Sequence, residues 1–153
     1  MSFKIMPKAA LPEWVEWLQG QYRVVGPVQR QNQYVFDEID TPGDLVLNYP
    51  TTVLPPKKYL LPQRETLFTF DTTRMQTKAS IEWEPTVILG VHTCDMHALQ
   101  LLDKVHATGH ADQHYQARRQ NTYLVSIECL SPCMEHSFCK SMGTLTASTG
   151  YDL

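Results

Sequence analysis

The stretch "TVILGVHTCDMHALQLLDKVHA", Thr86 to Ala107, changes its pattern part-way along. Its first seven residues form a continuous apolar run, Thr86 to His92, as in a strand buried on both faces of a parallel sheet. Beyond it, Ala98, Leu99, Leu102 and Val105 fall on one face of a helix. Asp95 lies in the first turn of that helix, where a carboxylate complements the helix dipole. A second apolar run, "TYLVSIE", spans Thr122 to Glu128. Strand over 86–92, helix over 95–106 and strand over 122–128 make a βαβ unit, with a right-handed crossover expected. The stretch between helix and second strand, "TGHADQHYQARRQN", reads as a polar loop.

Toward the N-terminus, "LPEWVEWLQG" predicts a helix starting at about Pro12 and stopped by Gly20, with Leu11, Trp14, Val15 and Leu18 near three-to-four spacing. Trp14, Trp17 and Tyr22 read as core aromatics. "YRVVGPV" and "QYVFDEI" read as two short strands around a polar "QRQN", a hairpin. "TPGDLVLNY" reads as a turn followed by a short apolar run. Pro55, Pro56 and Pro62 then bar regular helix and central strand, so this part reads as an extended, stiff segment leading into the strand "TLFTF". The expected fold class is α/β, a mixed sheet with a right-handed βαβ unit in the C-terminal half. Residues 1–153 read as a single domain.

Composition narrows the function classes. With 42% hydrophobic residues and a formal charge of -3, the chain suits a soluble globular domain and gives no reason to expect nucleic acid or an anionic membrane as partner. Lys57-Lys58 and Arg118-Arg119 read as solvated surface. No stretch approaches the roughly 20 apolar residues of a membrane span, and the first residues lack a signal-peptide pattern, so a cytoplasmic location is expected. In that compartment clustered cysteines bind metal or react more often than they pair as disulfides.

Three of the four cysteines lie in "SIECLSPCMEHSFCKSMG", Ser126 to Gly143. Their Cys-x3-Cys-x5-Cys spacing fits no common zinc finger and no ferredoxin. Parallel strands, however, would bring Cys94 and Cys129 to the same carboxyl edge of the sheet, with Cys133 and Cys139 in the loop leaving that edge. Such edges carry the sites of α/β proteins. Four thiolates suit an iron–sulfur cluster or Zn2+. Spacing alone leaves these two readings open beside thiols that merely pack and thiols that are redox-active. His136, inside the loop, is the best substitute ligand, whereas His106, His110 and His114 read as solvent-facing. Asp95, Asp103 and Glu128 are the carboxylates placed near this edge. There is no phosphate-binding glycine loop and no G-x-S-x-G.

Taken in order, "PPKKYLLPQRETLFTFD", "GVHTCDMHALQLLDKV", "DQHYQARRQNTYLVSIEC" and "FCKSMGT" resemble one iron–sulfur subunit family. It is shared by anaerobic sulfite reductase and the cytosolic sulfhydrogenases, in which it is the β subunit. "LPEWVEWLQGQYRVVGPV" is similar to the start of that family, so the resemblance spans nearly the whole chain. It implies a non-catalytic electron-transfer module carrying one [4Fe-4S] cluster, working between the catalytic and flavin-containing subunits of a redox complex. A cofactor-free docking domain and a zinc-stabilised binding domain stand as alternatives. Cys94, Cys129 and Cys139 match recurrent family cysteines. Many members read Cys-Phe-Cys where this chain has Ser137-Phe138-Cys139, and Cys133 is the expected replacement for the missing thiol. The ferredoxin-like region that follows in relatives is expected to be absent, which makes this stretch resemble the family's N-terminal domain.

Overall fold

The computed structural model describes residues 5–153. In chain order the main elements are α1 (Leu11–Gln19), β1 (Arg23–Arg30), β2 (Gln33–Glu38), β3 (Phe68–Asp71), β4 (Gln76–Ala79), β5 (Thr86–His92), α2 (Thr93–Ala107), α3 (Gln113–Gln120) and β6 (Thr122–Ile127). The main sheet has the order β2-β1-β5-β6. β2 runs antiparallel to β1, while β1, β5 and β6 are mutually parallel. The expected mixed α/β sheet and the expected hairpin are therefore present.

The sheet is covered on both faces. Val24, Val28, Val87 and Leu89 pack with Val15 and Leu18 of α1. Val25, Ile88, Val91 and Leu124 pack with Met96 and Leu99 of α2 and Tyr115 of α3 on the other side. Every residue of β5 is buried, which is why that strand reads as one apolar run instead of an alternation. Beyond β6, Asp152 and Leu153 pair with its backbone: the Asp152 amide donates to the Leu124 carbonyl at 2.9 Å and the Ser126 amide to the Leu153 carbonyl at 2.8 Å. That pairing satisfies polar groups an edge strand would otherwise leave open.

Ile88 pairs with Leu124, and Val91 with Ser126, so three steps on β5 match two on β6. The extra residue is a bulge at Gly90, whose φ of +73° suits glycine. Because of it, Ile88 and Val91 lie in the same core cluster although three apart. The bulge shifts the phase of the strand just before it delivers His92 to the sheet edge.

Several expectations are corrected. The "polar loop" contains α3. This helix has no apolar stripe; only Tyr115 is buried, and polar contacts pin the rest. The Tyr115 hydroxyl donates to Asp103 at 2.7 Å, and Arg119 Nε donates to the same carboxylate at 3.1 Å. Arg118 donates to the Leu60 carbonyl and to Glu65, each at 2.8 Å. Arg118 and Arg119 are thus internal struts instead of solvated surface, and Asp103 belongs to this network. His106 stacks on Tyr115 and His114 lies beside Glu65, so of the three histidines only His110 is fully solvent-facing. Val105 and Trp17 are 59% exposed, and the buried side of α2 is Thr93, Met96 and Leu99. The proline-rich segment turns through a short 3-10 helix at Pro56–Tyr59 and contributes the fully buried Leu60 to the core. The "TLFTF" strand finds an unforeseen partner in β4, forming a two-stranded ribbon separate from the main sheet.

The start of α3 gives a direct stability test. Asp112 Oδ1 accepts from the amides of His114 and Tyr115, each at 3.0 Å, an N-cap. The Tyr115 amide, opposed by partial burial and aided by the His114 amide and the two histidine rings, holds this carboxyl below the usual aspartate range. Asp112→Ala should cost about 1 kcal/mol. A depressed carboxyl stabilises the fold above its unfolded pKa and loses that contribution as pH falls through the folded one. The gap between wild type and Asp112→Ala, measured by denaturant melts, should therefore be full near neutrality and shrink as pH falls below about 3.9. A gap independent of pH would contradict the assignment.

Candidate metal centre

The carboxyl ends of β5 and β6 lie side by side, with His92 paired to Ile127. Helix α2 begins on the next residue, Thr93, so Cys94 lies in its first turn. Cys129 leaves β6 at the same edge. The chain then forms a loop that returns over the start of α2. The Met134 amide donates to Ser137 Oγ at 3.0 Å, the Ser137 amide donates back to the Met134 carbonyl at 3.1 Å, and the Thr144 amide donates to the Cys139 carbonyl at 2.9 Å. A strap past the loop is fastened to α2: Thr93 Oγ1 donates to the Leu145 carbonyl at 3.0 Å, and the His97 ring donates to the Thr146 carbonyl at 2.8 Å.

This path brings Cys94, Cys129, Cys133 and Cys139 to the wall of one cavity of about 300 Å³. All four thiols are free and half-buried. Burial, the Asp95 carboxylate and the neighbouring Cys139 and Cys129 push the Cys94 thiol up to about 11. Burial, then Cys133 and Cys139, raise that of Cys129 as well. Each thiolate formed here makes the next more costly, and a multivalent cation among them relieves that repulsion. The donor set, four soft sulfurs converging from the start of α2 and the segment after β6, fits an iron–sulfur cluster.

One donor beside the thiols was not legible in the sequence. A ring nitrogen of His92 and the sulfurs of Cys129 and Cys133 all lie within 4.8 Å of one another. His92 stacks face to face on Tyr49, with ring centroids 4.0 Å apart and planes 2° apart, and the Tyr49 hydroxyl donates to the Gly90 carbonyl at 2.7 Å. Burial lowers the His92 pKa and favours neutral imidazole, the form that ligates. As the last residue of an apolar strand, His92 reads as a strand residue; its place directly before Thr93-Cys94 was the available signal. His136, the substitute ligand expected from sequence, is exposed and lines a neighbouring cavity with Cys94, Cys133 and Cys139. Ser137 borders the thiol cavity, but its hydroxyl is engaged by the Met134 amide. Asp95 is half-buried, and burial raises its carboxyl pKa against the opposing charge of Lys57.

Fold and site together define a mixed α/β domain with a thiol-lined cavity at the carboxyl edge of its parallel strands. The chain is 37% identical over 142 residues to Sulfhydrogenase 2 subunit beta of Pyrococcus furiosus, a match covering 93% of this chain and 41% of that protein. The chain is thus similar to a sulfhydrogenase beta subunit over nearly all of its own length, and it spans less than half the length of this relative. No family model and no solved structure matches the chain. Among the described residues, no helix is long and apolar enough to cross a membrane.

Proposed function

We propose that this chain is an electron-transfer module of a hydrogenase- or reductase-like complex, holding one [4Fe-4S] cluster on Cys94, Cys129, Cys133 and Cys139. The observation that carries the proposal is the convergence of all four free thiols on one cavity. A bound cluster would supply one-electron storage at a potential set by ligation, burial and nearby charge. The chain's own residues position the thiols, keep them half-buried and shield them from bulk water; none converts a substrate. Residues 1–153 act as one domain.

The rim suits docking. Leu130 is 98% exposed, and Met134, Phe138 and Met142 are also exposed in the same loop. Apolar side chains gathered beside a redox site favour burial against another protein. The proposed partners are the catalytic and flavin-containing subunits of the complex, in the cytoplasm.

The loop gives a test independent of electron transfer. Its fixed points are few, and ligands on separate segments rarely preassemble without their metal. Iron removal under anaerobic conditions should speed proteolysis between residues 130 and 143 and leave cleavage elsewhere unchanged. Equal rates with and without iron would count against cysteine ligation in this loop.

A further inference from the structure

The same sheet edge holds a second, smaller donor set. We infer that His92, Cys129 and Cys133 form a mononuclear site for a soft divalent ion of the Zn2+ class, distinct from the four-thiol set and sharing two sulfurs with it. The site stands on these three side chains; its competition with a cluster rests on the function proposed above.

The geometry is close to what such an ion requires. Zinc takes thiolate sulfur at about 2.3 Å and imidazole nitrogen at about 2.0–2.1 Å, so tetrahedral donors lie about 3.3–3.8 Å apart. The three donor atoms lie within 4.8 Å of one another, so a shift of about 1 Å closes them on an ion. The histidine is already oriented. Its ring is held flat against Tyr49 at 4.0 Å, and Tyr49 is anchored through its hydroxyl to the Gly90 carbonyl. Cys129 and Cys133 come from the beginning of the loop, before the turn at Met134–Ser137. The mixed nitrogen–sulfur set is typical of zinc and leaves a fourth position for water or another donor. These three residues line one cavity together with Tyr49, and neither Cys94 nor Cys139 borders it.

Because Cys129 and Cys133 border both cavities, one ion and one cluster cannot share them. A zinc ion taken up first would block cluster assembly. His92 separates the two, since it lines the ion cavity and does not border the four-thiol cavity.

The test uses the full chain, prepared anaerobically without metal, titrated with Zn2+ against a chromophoric chelator and, in parallel, reconstituted with iron and sulfide. Loss of even an outer-shell partner weakens metal binding about 10–100-fold. Because the four thiols together also suit Zn2+, zinc affinity is read in a Cys94→Ser background, where adding His92→Asn should weaken Zn2+ binding by at least about 100-fold; His92→Asn alone should retain cluster loading. His92→Cys, which keeps a zinc donor, should restore tight binding. Cys94→Ser alone should keep Zn2+ binding and lose the cluster. Unchanged zinc affinity when His92→Asn is added to Cys94→Ser, or failure of His92→Cys to restore it in that background in a folded protein, would overturn the site. Zinc binding through His92 with no cluster loaded by any variant would leave the ion site standing and remove the proposed function instead.

Discussion

Cys133→Ser is expected to reduce a centre of about four irons per chain to about three or none, while Ser137→Ala keeps the full complement. Both residues border the thiol cavity, so proximity alone does not separate them. Chemistry and geometry do. A hydroxyl must give up a proton of far higher pKa than a thiol before it binds iron strongly. The Ser137 hydroxyl also accepts a 3.0 Å bond from the Met134 amide, a turn contact that coordination would disturb. Among the described residues no backbone group is hydrogen-bonded to the Cys133 side chain, which lies against Cys129 and disfavours its ionisation. Pro132, with its fixed φ, restricts the backbone just before it. Iron and sulfide analysis with low-temperature electron paramagnetic resonance checks the pair. A full cluster in Cys133→Ser, or its loss in Ser137→Ala, would reverse the assignment.

Gly90→Ala should destabilise the fold well beyond what its positive φ alone would cost. At φ +73° an added Cβ would meet Leu47 Cδ2 at 3.0 Å and Pro27 Cδ at 3.1 Å. Backbone strain of this kind costs about 1–3 kcal/mol, and the crowding adds to it. Gly109 separates the two contributions: its φ is +71° but nothing lies within 4 Å of an added Cβ. Gly90→Ala should therefore lower the melting temperature by more than Gly109→Ala, at about 2–4 °C per kcal/mol for a chain of this size. Since the Gly90 carbonyl anchors Tyr49, the substitution should also disturb His92. Equal losses at the two positions would show that strain alone acts and that the bulge is not tightly packed.

The parts of the fold legible in the sequence were those driven by burial. β5 is buried at every position, and its expected limits, 86–92, are the observed ones. β6 and α2 follow within a few residues, and their parallel pairing places Cys94 and Cys129 at one edge as topology required. What escaped reading is held by polar contacts or local geometry. α3 has a single buried side chain, so hydrophobic periodicity could not show it, although Asp112 before "QHYQ" was a capping signal. Arg118 and Arg119 look like surface charges until Leu60, Glu65 and Asp103 are placed around them. The bulge at Gly90 appears as nothing more than a glycine in an apolar run, yet it changes the strand's phase ahead of His92. That is why the meeting of the cysteines at one edge was legible and the histidine beside them was not.

The most direct test is anaerobic purification of the full chain, followed by iron and acid-labile sulfide determination on the same sample whose visible absorption is recorded. Four-thiolate ligation predicts a brown protein with about four irons and four sulfides per chain, and loss of both in Cys94→Ser. A colourless, folded protein that contains no iron and takes up none on anaerobic reconstitution would contradict it.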